Sequence, residues 1–158
     1  MKRIAGVHVK SGGINVAVVE ESGCDTPLLI STKRIESNNA LPDTARFADL
    51  IDRFRQHLSP MGVNAVAILQ TRAFSNLKYS AAFNRVFAIC AVLQGASALH
   101  IDATTYTTNA VGASMSLEAN QLKQFDYKTL GVTEAPTYWT TGMAEASAVS
   151  VYALKALR

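Results

Sequence analysis

Hydrophobic positions alternate with polar ones along the first third of the chain. Residues 4–10 read as a strand, and Ser11-Gly12-Gly13 as a tight turn. Residues 14–20 carry the alternating Ile14, Val16 and Val18 of a second strand, closed by a polar stretch ending at Pro27. Residues 28–35 supply a third strand, and short turns between the three predict an antiparallel meander. The period then changes. After Pro42-Asp43, Phe47, Leu50, Ile51, Phe54 and Leu58 fall on one helical stripe, with Arg46, Asp49, Asp52, Arg53 and Arg55 expected off it and facing water. Residues 63–69 (VNAVAIL) are almost wholly apolar, as in a strand covered on both faces in a parallel sheet.

The second half is less regular. Ser80 is expected to cap a helix reaching Gln94, with Gly95 as its stop. Residues 98–102 are expected to form a fifth strand, 104–112 a short helix, and 114–136 an irregular stretch with local helix near 117–125. Residues 142–157, rich in Ala, Ser and Val and poor in charge, predict a last helix packed closely inside the domain or in a dimer. The helix from Ser80 is apolar around most of its circumference, more than one sheet face covers, which predicts a homodimer contact.

Composition narrows the function classes. At 158 residues, 49% hydrophobic and 17% charged, the chain suits a single α/β domain with its own core. No apolar run reaches the ~18–20 residues of a bilayer span, and no signal-peptide core follows Met1-Lys2-Arg3, so the cytoplasm is the expected location. Two cysteines, Cys24 and Cys90, are too few for a disulfide framework or zinc site, and Cys90 in FAICAVL is expected in the core. A net charge of +3 and a pI near 9.0 permit a polyanionic partner, although no basic run exceeds two residues. The basic, aromatic segment TRAFSNLKY (71–79) follows a buried strand; Arg72 and Lys78 suit phosphates, whereas Phe74 and Tyr79 suit either bases or the edge of the core.

The order of elements, together with IAGVHVKSGGINVAVVE (4–20), AVAILQ (65–70), ALHIDATTYTTNAVG (98–112) and AEASAVSVYAL (144–154), resembles the ribonuclease H-like superfamily, and within it the RuvC-like Holliday-junction resolvases. A bacterial family of short proteins in the same superfamily has a similar layout. The resemblance implies a mixed five-stranded sheet, three antiparallel strands followed by two parallel ones, flanked by helices. It also implies carboxylates for two metal ions, since hard anionic oxygens are what hold two such cations close together. At the positions where it places them the chain has His8, Gln70 and Ser147. Glu145 lies two residues before Ser147, about 200° away around a helix.

The expectation is therefore a RuvC-like domain without nuclease chemistry, with no catalytic residue, cofactor or metal, binding nucleic acid or a protein partner as a homo-oligomer. Lys10, Arg72, Lys78 and Arg85 are the candidate nucleic-acid contacts. Two alternatives stand beside it: a divergent metal-dependent nuclease using His8, Asp102 and Glu145, and a structural, oligomer-forming subunit.

Overall fold

The computed structural model describes residues 1–10, 12–70 and 78–157. Its first three strands are β1 (Arg3–Lys10), β2 (Gly13–Glu21) and β3 (Pro27–Glu36), followed by helix α1 (Asp43–Leu58) and strand β4 (Ala65–Leu69). Then come α2 (Tyr79–Ala98), β5 (Asp102–Tyr106), the short α3 (Thr108–Ser114) and α4 (Met143–Ala156). The sheet order is β3-β2-β1-β4-β5. β1 pairs antiparallel with β2 and parallel with β4, and β4 pairs parallel with β5, so the expected mixed five-stranded sheet is what the chain forms. Lys10 stands opposite Gly13 across the first hairpin, where Gly12 takes φ +74°.

Alternation along β1 divides the core into two layers. Ala5, Val7 and Val9 pack with Leu50, Phe54, Ala88 and Val92 beneath α1 and α2. Ile4 points the other way and packs with Ala146, Val149 and Leu154 of α4. The small residues of α4 answer a close approach within the domain. A Cβ at Gly6 would lie 1.9 Å from the Ala146 carbonyl oxygen and 2.8 Å from Ser150 Cβ.

Several expectations need correction. α2 does not stop at Gly95: that glycine is buried in the helix's last turn, where a Cβ would come within 2.7 Å of the Phe54 ring, so it is the gap through which α1 and α2 meet. The N-cap is Lys78, without a side-chain cap bond, rather than Ser80. At twenty residues α2 is also long and apolar enough to cross a membrane by length and composition, contrary to the sequence reading; Ala88, Ala91, Val92, Gly95 and Ala96 are nevertheless buried. The fifth strand begins four residues later than expected, after a turn in which His100 takes φ +57°. Asp102 consequently starts β5 instead of ending it, and the helix expected over 104–112 is a strand followed by α3. Arg46 is buried, its guanidinium carbon 4.3 Å from the centroid of the Phe87 ring and Nη2 donating to Asp43 at 3.1 Å. Cys90 is exposed, as is Cys24.

Candidate functional site

In a parallel arrangement the carboxyl ends of neighbouring strands open on the same rim, where α/β sheets collect their ligands. β1 and β4 are such neighbours, running in register from Ile4↔Ala65 to Val7↔Ile68. His8 and Lys10 therefore meet Gln70 at that rim, where a pocket of about 260 Å³ opens. Arg85 of α2 and Thr108 at the start of α3 line it as well. Glu145, in the first turn of α4, faces it, and Asn120, Leu122 and Lys123 from the irregular segment close it.

His8 is held by its strand: the Asn15 side chain, fully buried opposite it, donates through Nδ2 to the His8 carbonyl at 3.2 Å. Its imidazole is desolvated and sits beside Lys10 and Arg85, and together these lower its pKa from 6.5 to about 4. It is neutral at physiological pH, and its buried Nδ1 has no partner among the described residues. Glu145 moves the other way, its carboxyl pushed up by burial against the pull of its own backbone amide, Lys10 and Lys123. Its Oε2 is likewise buried without a hydrogen-bond partner among the described residues. Two desolvated groups on one pocket are both driven toward their neutral forms, while three cations stand around them.

The structure sorts the residues singled out from sequence. His8, Gln70, Lys10, Arg85 and Glu145 come together. Ser147 does not: it is buried on α4 and is not among the residues lining the pocket, whereas Glu145, two residues earlier, is. Asp102 pairs with Ala65, at the amino-terminal end of β4 and the opposite end of the sheet from Gln70, so it cannot join His8 and Glu145. Lys78 is exposed at the α2 N-cap and is not among the residues lining the pocket. Arg72 and Phe74 lie outside the described residues. Sequence reasoning missed Lys123, Asn120 and Thr108, all from stretches without periodicity.

Two divalent cations need several hard anionic oxygens within reach of both. The pocket lining offers one carboxylate, raised in pKa, with one imidazole and the amides of Gln70 and Asn120. Among the described residues no three His, Cys, Asp or Glu side chains group as a metal site. Lys10, Arg85 and Lys123 also repel a cation at this rim, so the residues present do not fit a two-metal centre.

No protein-family model matches the chain, and no curated protein matches it. Among solved structures it is similar to RuvC of Thermus thermophilus, with a TM-score of 0.79 and 20% identity over 98% of this chain and 96% of that one. It is similar to T. thermophilus RuvC in complex with a Holliday junction substrate at 0.75 and 20%, covering 98% and 95%. The yeast mitochondrial Holliday junction resolvase follows at 0.60 and 8%, covering 95% and 76%. The chain thus has the ribonuclease H-like, RuvC-like fold that its element order suggested.

Proposed function

We propose that this RuvC-like domain binds nucleic acid at the pocket rim and does not cleave it. The observation that carries the reading is the convergence of Lys10, Arg85 and Lys123 on a pocket whose single lining carboxylate, Glu145, is pushed toward its neutral form. Cations at a rim attract phosphate, and a carboxyl pushed toward its neutral form opposes them less. The similar fold of a RuvC solved with a Holliday junction substrate supports the same partner class.

The test is a salt titration on a labelled four-way DNA junction with Mg²⁺ or Mn²⁺ present. Binding is expected without cleavage, and Lys10→Ala, Arg85→Ala and Arg72→Ala should each flatten the slope of log K against log salt by about one unit. Metal-dependent cleavage that disappears in Glu145→Gln would overturn the non-hydrolytic reading. Absence of binding at ~50 mM salt, where phosphate contacts are strong, would put a protein partner in place of nucleic acid.

The reading includes a homodimer through α2. Tyr79, Phe83, Val86, Cys90 and Leu93 are all exposed along this helix, at successive steps of four, three, four and three residues. That spacing is the 3.5-residue repeat of a helix-pairing seam, and a second copy of the same helix matches it. Light scattering of the wild type should give twice the 17.0 kDa chain mass, and Val86→Glu should give the chain mass itself. A wild-type monomer at tens of micromolar would refute the dimer.

A further inference from the structure

One rim residue looks both ways. Lys10 lines the cationic pocket and also a second hollow, formed with Arg34, Glu36, Tyr138 and Thr141. Tyr138 lines a further hollow with Thr32, Lys33 and Thr137, so open space lies on more than one side of it. Tyr138 is 49% exposed, whereas its neighbour Trp139 is buried and donates Nε1–H to the Phe125 carbonyl at 2.9 Å.

Tyr138 has φ +63°, a conformation that glycine adopts readily and a tyrosine resists. The backbone has a reason to turn there, because the Tyr138 carbonyl accepts from the amides of Thr141 and Met143, both at 3.1 Å, and so launches α4. Glycine would serve that turn without strain, so the turn does not account for the ring. The ring covers Arg34, whose guanidinium carbon lies 5.2 Å from its centroid. Arg34 is itself fixed, donating Nε–H to Glu36 at 3.0 Å and Nη1–H to the buried Asn15 at 3.3 Å. Glu36 answers the charge of Arg34 and repels phosphate, which leaves a rigid planar surface suited to an uncharged planar ligand.

We propose that Tyr138, backed by Arg34, is a stacking shelf for an unpaired nucleobase whose adjoining phosphate is held by Lys10. The inference rests on the nucleic-acid reading above and adds to it a second subsite with a different ligand chemistry. A base inside a duplex presents no free face, so the shelf takes bases from single strands, branch points or flipped nucleotides.

The probe is a short single strand carrying 2-aminopurine, whose fluorescence falls when the base stacks. Wild type and Tyr138→Phe should bind and quench alike. Tyr138→Gly, which suits the backbone and should melt within a few degrees of wild type, should lose the quench and bind about tenfold more weakly with an unchanged salt slope. Lys10→Ala should flatten the slope by about 0.7 and keep the quench. If Tyr138→Gly binds and quenches like wild type while Lys10→Ala is weakened, the shelf is refuted and the nucleic-acid reading stands. A wild type that does not bind the strand refutes both. Loss in Tyr138→Phe equal to that in Tyr138→Gly overturns stacking in favour of the hydroxyl.

Discussion

Gly6→Ala should cost the domain on the order of 3 kcal/mol or more, a large share of the 5–15 kcal/mol that holds an ordinary domain together. The added Cβ would stand 1.9 Å from the Ala146 carbonyl oxygen, 2.8 Å from Ser150 Cβ and 2.9 Å from Ser150 N. None of these atoms belongs to a flexible side chain that can swing aside, so α4 itself must retreat. α4 also covers Ala17 and Val19 of β2 and Ala67 of β4, and its retreat loosens one whole core layer. Gly23→Ala is the control, because a Cβ there meets nothing within 4 Å, and its effect should stay within about 0.5 kcal/mol. Urea unfolding of the two variants decides the matter. Equal midpoints would mean that β1 and α4 do not approach as described.

Acid should weaken the fold through His8. Its pKa falls from 6.5 in the unfolded chain to about 4 in the native pocket, so between these values the unfolded state binds the proton and the native state does not. The associated stability is fully present above pH 6.5, is lost as the pH falls, and is gone below about 4, a difference on the order of 3 kcal/mol. Lys10 and Arg85 share in this by repelling the imidazolium. Glu145 acts in the opposite sense: its raised pKa means that stability is lost as the pH rises from 4.5 through the raised value. The difference between wild type and His8→Asn isolates the histidine. Between pH 7 and pH 4 the wild-type urea midpoint should fall relative to that of the variant, whose side chain takes up no proton, and parallel curves would show that His8 is not desolvated.

The elements with a strong period were legible, and so was their order. The stripe from Phe47 to Leu58 and the alternation of Ile14, Val16 and Val18 describe surfaces that must be covered, and the fold covers them. The fifth strand was not legible, because Asp102-Ala-Thr-Thr-Tyr106 lies at the sheet edge, half open to water, and burial imposes no alternation on it. Gly95 was misread because one residue type serves two purposes: it ends helices, and it lets two helices touch. At the pocket, His8, Gln70, Lys10 and Arg85 followed from strand ends and the resemblance. Lys123 did not, because it hangs on a 3-10 turn (Leu122–Gln124) whose position depends on tertiary packing. Which residue of α4 reaches the pocket was not legible, because a uniformly small-residue helix carries no apolar stripe by which spacing could orient it.

The pairing of β1 with α4 also bears on the order in which the chain acquires its structure. β1 is the centre of the sheet, and α4 forms the lid over one of its faces, yet residues 3–10 and 143–156 stand near opposite ends of the sequence. During synthesis the first hairpin can close on its own, because β1 and β2 are joined by a tight turn. It must then wait, with Ile4, Ala17 and Val19 uncovered on one side, until more than a hundred further residues have left the ribosome. Contacts this distant make folding slow and leave apolar strand surface open to other chains in the interval. The uncovered strand face is thus a hazard of the nascent chain alone, because the finished sheet closes it with Ala146, Val149 and Ser150.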